Sequence, residues 1–174
     1  TSSDGIFLYH QRLSTYKWLG HGFSLRRDQD GVEMSYSLNE FQPRETVLKN
    51  RQRMVRSVFG RELSVVILRQ VHSDRIFKAS RALLADPPEG DGCVSAEPEL
   101  PVAIQTADCL PVLLVDPQQR VVAAVHAGWR GTIQRIAAKA VHRMQTDFGS
   151  RPSRCLAVVG PAIRRCCYEI GEEV

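Results

Sequence analysis

At 174 residues, the chain is long enough to bury a hydrophobic core without disulfides or metal ions that serve only to hold the fold together. Forty-three per cent of its residues are hydrophobic and 24% are charged, as in ordinary globular proteins. The net charge of +4 is spread along the chain and only 7% of residues are aromatic, which argues against nucleic-acid binding, because that function concentrates basic and aromatic side chains on one face.

The predicted elements of the first half begin with a short strand in KWLGHGFSLRR. PRETVLKNRQRMVRSVFG then predicts a helix, with Pro43 near its start and Gly60 at its end. The apolar run in ELSVVILRQVH predicts a buried strand that carries His72 at its carboxyl end, and SDRIFKAS predicts the strand that returns beside it.

The second half contains the clearest hairpin, in which Leu110 to Val115 and Val121 to Val125 flank DPQQR. A turn centred on Pro117 and Gln118 would place Cys109 opposite His126, with a slip of one or two residues left open by the turn type. The elements that flank the hairpin are predicted to be a strand in PVAIQ, a helix from about Thr132 to Phe148 and a last strand in RCLAVVG. Strands outnumber helices and the clearest hairpin is antiparallel, so the sequence predicts an α+β fold with a mixed, largely antiparallel sheet, as a single domain over residues 1–174.

His72, Cys109 and His126 each follow or end a predicted strand, so we expect these side chains to converge at one end of the sheet. One thiolate and two imidazoles leave a fourth tetrahedral position open on zinc, as in catalytic zinc sites, and they also suit copper. The alternative is structural, because cysteine is often buried as a small hydrophobic residue and a histidine at a strand end is often not catalytic.

HAGWRGT predicts a glycine-lined turn at the start of a helix, where Gly128 and Arg130 would bind a phosphate or carboxylate. Turn geometry and a surface salt bridge are the ordinary alternatives for these residues. Asp108 and Asp91 are candidates for a general base or for orienting a metal ligand, although Asp91 also fits a plain turn. His21 in GHGFS and Arg51 in KNRQR are candidates for the same pocket, with a solvated helix face as the alternative for Arg51.

No membrane span or secretory signal is predicted, because no apolar run approaches about 18 residues and TSSDGIFLYH lacks the basic and apolar regions of a signal peptide. The five cysteines are odd in number and contain no CxxC pair, which favours reduced thiols. We therefore expect a cytoplasmic protein, while the oligomeric state stays open. Cys166 and Cys167 would point to opposite sides of an extended backbone, so we do not expect them to share one metal ion.

Four segments resemble, in their order and in their residues, motifs of the laccase-domain or polyphenol-oxidase-like family: RQVHSD, TADCLPVLL, AAVHAGWRGT and GPAIRRCCYEIGEEV. This family is also described as multicopper polyphenol oxidoreductases and as purine nucleoside phosphorylases. HGFS near the start matches as well, so the resemblance covers about residues 18–174. Similar proteins continue for several tens of residues, so we expect the chain to lack their C-terminal segment and Val174 to lie in the first turn of a helix.

The resemblance implies a sheet packed with helices in a sandwich, in which His72, Cys109 and His126 hold zinc. It also implies phosphorolysis of adenosine, inosine and methylthioadenosine to free base and ribose 1-phosphate, with adenosine deamination as a side activity. The small-molecule partners would then be a purine nucleoside and phosphate. Copper-dependent phenol oxidation is an older claim for the family, and editing of peptidoglycan precursors is assigned to some bacterial members.

Two alternatives from the residues stay open beside this implication. A copper oxidase would need more imidazoles than the chain's five histidines provide, or an axial methionine beside a single His₂Cys copper. A metal-free hydrolase would use Cys109 as nucleophile and one histidine as its base, which suits an editing role on cell-wall precursors but leaves the other histidine unexplained. A binding module or a fragment without activity is a further alternative.

Overall fold

The structure, a computed structural model, describes residues 1–38 and 42–172. The chain forms two compact units, Thr1–Leu63 and Ser64–Val174, and the single domain expected over the whole chain stays a prediction. The helical turn predicted at Val174 lies outside the described residues. Within the described part of the chain, no helix combines the length and the apolar composition needed to cross a membrane.

The first unit pairs two short antiparallel strands and adds two helices: β1 (Phe7–Leu8), α1 (Gln11–Ser14), β2 (Phe23–Ser24) and α2 (Arg44–Phe59). Helix α2 confirms the predicted helix. It ends where Gly60 adopts a left-handed conformation, with a φ of 69°, and donates its N–H to the Arg56 carbonyl at 2.8 Å. Ile6, Phe7 and Met34 form the buried core of this unit.

The second unit is built on a mixed sheet, and its elements in chain order are β3 (Val66–Ile67), β4 (Ile76–Lys78), β5 (Gly92–Ser95), β6 (Val102–Ala103), β7 (Leu110–Asp116), β8 (Val121–Ala127), α3 (Trp129–Ile133), α4 (Ile136–Phe148) and β9 (Leu156–Val159). Two short 3₁₀ helices, Arg81–Leu84 and Pro152–Arg154, complete it. Among the described residues, five strands form the main sheet in the order β4-β5-β8-β7-β9, and only the pair β4 and β5 is parallel. The α+β class with a largely antiparallel mixed sheet is therefore confirmed.

Both faces of this sheet are covered by apolar side chains. On one face, Val94, Val125 and Leu114 pack with Ala140 and Met144 of α4. The other face belongs to a second cluster that includes Cys93 of β5, which points away from Val94 because neighbouring strand residues alternate between faces. Val66, Leu68 and Leu100 fill that cluster. The sheet thus packs against apolar side chains on both faces, and its strand ends can support a site.

The pairing of β3 corrects one expectation. Instead of pairing with the strand that follows it, β3 pairs in parallel with β6, and β4 pairs in parallel with β5. The partner of each strand is thus remote in sequence, which periodicity alone does not reveal.

The hairpin of β7 and β8 is confirmed, but its register differs by two residues from the predicted alignment. Pro111, not Cys109, lies opposite His126, and Cys109 directly precedes the Leu110–Ala127 pair. The reason is a wider turn, since the last pair is Asp116–Val121 and Arg120 takes a left-handed φ of 53°. A shift of two residues preserves the side-chain face, so Cys109 and His126 still reach the same end of the hairpin.

The helix predicted from Thr132 to Phe148 is interrupted. Helix α3 begins earlier, at Trp129, and stops at Ile133, whereas α4 begins at Ile136. Between them Arg135 has a φ of 59°, which no continuous right-handed helix contains. The break separates the short turn beside the strand ends from the long helix that covers the sheet.

Candidate metal centre

Three side chains converge at the end of the β7–β8 hairpin, as predicted. The ligand atoms of His72, Cys109 and His126 all lie within 4.8 Å of one another, and Cys109 Sγ is 4.0 Å from His72 Nε2. In a tetrahedral zinc site these ligand atoms would be about 3.3–3.6 Å apart. Small side-chain movements therefore suffice to close the three donors on one ion, and borderline-soft thiolate and imidazole donors fit zinc or copper.

The carboxylate of Asp91 holds two of the three ligands in place. It is fully buried, and its Oδ1 lies 2.8 Å from Nδ1 of His126. The carboxylate also accepts the backbone N–H of His72 at 3.1 Å, together with the N–H and the hydroxyl of Ser73, both at 2.6 Å. A proton on Nδ1 leaves Nε2 of His126 unprotonated and able to bind a cation, which is how carboxylates commonly orient metal-binding histidines.

The protonation of Asp91 follows from the same contacts. Burial raises the pKa of the carboxyl, but the hydrogen bonds from Ser73, His126 and the Val71 amide outweigh it and hold the pKa below its usual range. Asp91 is therefore an anion at neutral pH. Of the three roles that the sequence offered for Asp91, its burial and its contact with His126 favour orienting a ligand over acting as a general base or as a plain turn aspartate.

His72 is exposed and lies in a left-handed conformation, with a φ of 58°. This conformation is uncommon for a residue other than glycine and needs support from its surroundings. The hydrogen bonds from residues 71–73 to Asp91 supply that support. The turn is therefore shaped by the same carboxylate that orients His126.

Gly128 has a steric role at the centre. A Cβ atom there would lie 3.0 Å from Cδ2 of His72 and 3.3 Å from Sγ of Cys109. Its φ of −68° is open to any residue, so the requirement for glycine is space rather than backbone conformation. The predicted contact of Gly128 with an anion stays a prediction, and helix α3 behind it is only five residues long.

Cys109 is half-buried, and burial together with the charges of Asp108 and Asp91 raises the pKa of its thiol. Without a cation beside it, this thiol ionises less readily than an ordinary cysteine, which does not favour the metal-free nucleophile. A cation held by the two histidines would offset these negative charges.

Asp108 and Arg130 are both exposed near the centre. The backbone carbonyl of Asp108 accepts the N–H of Ile163 at 3.0 Å. The guanidinium of Arg130 lies 4.9 Å from the ring centroid of Trp129, a cation–π contact that holds it beside the turn. Both side chains are accessible to a ligand, and their catalytic and phosphate-binding roles stay predictions.

His21 and Arg51 belong to the first unit. Nε2 of His21 accepts the backbone N–H of His10 at 3.0 Å, and burial lowers the pKa of its imidazole. Nε of Arg51 donates to the Tyr36 carbonyl at 2.8 Å. Their predicted contacts with substrate stay predictions. Sequence analysis missed Ser73, whose only signal was its place directly after His72.

Comparison with known proteins is consistent with this centre. The family described as multi-copper polyphenol oxidoreductase laccase matches residues 20–174. The chain belongs to this family. The family resemblance drawn from the four sequence segments is thereby confirmed.

Two relatives carry names that concern purines. A purine nucleoside phosphorylase of Deinococcus radiodurans is 41% identical over 128 residues, which cover 74% of this chain and 49% of that protein. The adenosine deaminase RL5 of an unknown prokaryotic organism is 40% identical over 118 residues, covering 63% of this chain and 45% of that protein. The chain thus spans about half the length of the curated relatives it matches.

A solved structure shares the fold. YlmD from Geobacillus stearothermophilus aligns with a TM-score of 0.74 at 31% identity, over 81% of this chain and 55% of that one.

Proposed function

We propose that the protein is a zinc-dependent purine nucleoside phosphorylase, which cleaves adenosine, inosine or methylthioadenosine with phosphate to release the base and ribose 1-phosphate. The observation that carries this proposal is the cluster of His72, Cys109 and His126 around one point, with His126 oriented by the buried Asp91. The names of the relatives support the purine substrates. We also propose a cytoplasmic location, which fits the free thiols of all five cysteines.

Zinc held by these three residues would supply a Lewis acid and lower the pKa of a bound water. The chain's own residues provide the remaining functions. Asp91 keeps Nε2 of His126 unprotonated, and Gly128 leaves room between the ligands. Arg130, exposed beside the turn, is suited to bind phosphate through its forked donors, and the exposed Asp108 is suited to accept a proton from substrate.

Adenosine deamination is proposed as a side activity of the same centre. It rests on the name of one relative and on the chemistry of activated water, which can attack C6 of adenine. The two activities differ in their need for phosphate, since deamination consumes only water.

Copper oxidation is the second candidate, because the family name refers to copper and the donors also suit that metal. A single copper centre of the electron-transfer type would add a weak axial methionine to the two histidines and the cysteine. In the second unit, Met144 of α4 is fully buried in the core and packs against the sheet rather than contributing to the site. The donor set therefore favours zinc.

The test is elemental analysis of the 174-residue chain purified without chelator or added metal, beside Cys109→Ala and the matched control Cys155→Ala. We expect about one zinc per chain in the wild type and the control, and none in Cys109→Ala. The control removes a half-buried cysteine whose Sγ lies 3.5 Å from the Arg151 carbonyl, away from the three ligands. Stoichiometric copper in place of zinc would favour the oxidase, and no metal in any sample would refute the metal mechanism.

Activity is then measured with adenosine and inosine, with and without phosphate. Release of base that requires phosphate and is absent in Cys109→Ala supports the phosphorylase. Formation of inosine from adenosine without phosphate would show the deaminase activity. A zinc-loaded protein that cleaves neither nucleoside would refute the proposed substrates.

A further inference from the structure

Cys166 and Cys167 form a pair of exposed thiols that the centre described above does not use. Their Sγ atoms lie 3.3 Å apart, within hydrogen-bonding distance of each other. The expectation that they point to opposite sides assumed an extended backbone, and that assumption is wrong. The Arg164 carbonyl instead accepts the N–H groups of Cys167 and Tyr168, both at 2.9 Å, so this segment is a tight turn that brings both thiols to one side.

The spacing of the two sulfurs fits a shared ion. Two thiolates on one ion, each at a metal–sulfur distance of about 2.3 Å, lie about 3.8 Å apart at a tetrahedral angle and about 4.6 Å apart in a linear arrangement. Rotations of the two exposed side chains would have to widen the observed spacing of 3.3 Å to within that range. The hydrogen bond between the two thiols raises the pKa of Cys167, so a bound ion would have to replace the shared proton.

A disulfide between these cysteines fits less well. Adjacent Cα atoms are about 3.8 Å apart across a trans peptide, whereas disulfides normally join Cα atoms about 4.4–6.8 Å apart. A bond between neighbouring cysteines is therefore strained and easily reduced, so the pair stays a dithiol in a reducing compartment. Free dithiols select soft, thiophilic ions, among which Cu(I) is the common biological one.

The segment that precedes the pair is tied to the first centre, yet the pair shares none of the ligands of that centre. The N–H of Ile163 donates to the carbonyl of Asp108 at 3.0 Å, which ties the segment before the cysteines to the residue before Cys109. The three donors of the first centre include two imidazoles, whereas this pair offers sulfur alone. The two sets of donors therefore differ in softness.

We propose that Cys166 and Cys167 form a second, separate site that binds one soft, thiophilic ion of the Cu(I) class through both sulfurs. This site goes beyond the proposed nucleoside chemistry and does not depend on it. It would bind copper independently of the zinc centre.

The geometry of the pair is tested with phenylarsine oxide, followed by mass spectrometry of the intact chain. The reagent closes on two neighbouring thiols: two As–S bonds form, the As–O bond breaks, and the oxygen leaves as water with both thiol protons, without oxidation or reduction. We expect one adduct per chain in the wild type and in Cys109→Ser, and none in Cys166→Ser or Cys167→Ser. An adduct that persists in both single variants, or that is lost in Cys109→Ser, would overturn the separate site.

The ion is tested by competition for Cu(I) with a chromophoric chelator in the Cys109→Ser background, which removes a ligand of the first centre. Loss of either sulfur removes the chelate, so adding Cys166→Ser or Cys167→Ser to that background should weaken Cu(I) binding at least about 100-fold relative to Cys109→Ser alone. Equal affinities in these three proteins would overturn the assignment of Cu(I). Unchanged thermal unfolding of the exposed Cys166→Ser and Cys167→Ser variants would show that the loss is not one of folding.

Discussion

Replacement of Asp91 by asparagine tests how the candidate metal centre is organised. The carboxylate receives hydrogen bonds from Ser73, from His126 and from the amides of residues 71–73. An asparagine keeps the shape but presents an NH₂ group in place of one oxygen. If the NH₂ group faces Ser73, it meets the backbone N–H and the hydroxyl, which are themselves donors. If it faces His126, Nδ1 must lose its proton to accept the hydrogen bond, and the proton moves to Nε2.

Either orientation weakens the centre in a measurable way. Loss of an orienting carboxylate typically lowers metal affinity about 10–100-fold. Buried donors left without an acceptor cost about 1–3 kcal/mol each, so we expect Asp91→Asn to lower the free energy of unfolding by about 2–5 kcal/mol. Zinc affinity is measured by competition with a chelator, and stability by urea unfolding of the metal-free chain.

Ser73→Ala is the matched control for this prediction. It removes the hydroxyl that donates to Asp91 at 2.6 Å but leaves the carboxylate and its contact with His126 intact. We expect a loss of stability of about 1 kcal/mol with zinc affinity close to that of the wild type. If Asp91→Asn bound zinc as tightly as the control, the carboxylate would not orient His126 and the reasoning would be refuted.

Three further predictions concern packing and charge. Gly128→Ala should weaken zinc binding about 10-fold or more in the same chelator assay, because the added Cβ crowds His72. Gly149→Ala is its control: the added Cβ meets open space, but the φ of 70° is strained for alanine, so we expect a loss of about 1 kcal/mol of stability and no change in metal affinity. Met144 of α4 is fully buried against the sheet, so Met144→Ala should lower the free energy of unfolding, measured in urea, by about 2–5 kcal/mol. The hydrogen bond from Arg53 holds the pKa of Asp28 below its usual range. The ionised Asp28 therefore contributes to stability above about pH 4, and this contribution is lost as the pH falls through the folded-state pKa. Urea unfolding between pH 5 and pH 3 should accordingly show a weaker pH dependence of the free energy of unfolding in Asp28→Asn than in the wild type.

Local signals in the sequence predicted the elements that depend on local conformation. Helix α2 follows from Pro43 and Gly60, because an N-terminal proline and a C-terminal glycine act on the backbone next to them. The hairpin followed from two β-branched runs, but its register depended on Arg120, whose left-handed conformation no residue preference predicts. A two-residue error in register did not move Cys109 to the other face, so the prediction of the site survived it.

Contacts between distant segments were harder to predict. The sequence predicted that the three candidate metal ligands converge only because each follows or ends a predicted strand. The role of Asp91 depends on hydrogen bonds to residues about twenty positions earlier and to His126, 35 positions later, and sequence spacing gives no measure of either. The prediction for Cys166 and Cys167 was wrong for a local reason, because it assumed an extended backbone that this segment does not adopt.

The dependence of the centre on Asp91 explains why a buried carboxylate is tolerated in this core. An isolated buried charge is costly, but here both oxygens accept hydrogen bonds, which come from two separate parts of the chain. Asp91 lies directly before β5, His126 lies near the end of β8, and residues 71–73 form the turn between β3 and β4. One anion therefore fixes the strand ends relative to one another and, by the same hydrogen bonds, sets the donor atom of His126. Folding of this end of the sheet and preparation of the metal site are thus a single process, because the contacts that stabilise one also arrange the other.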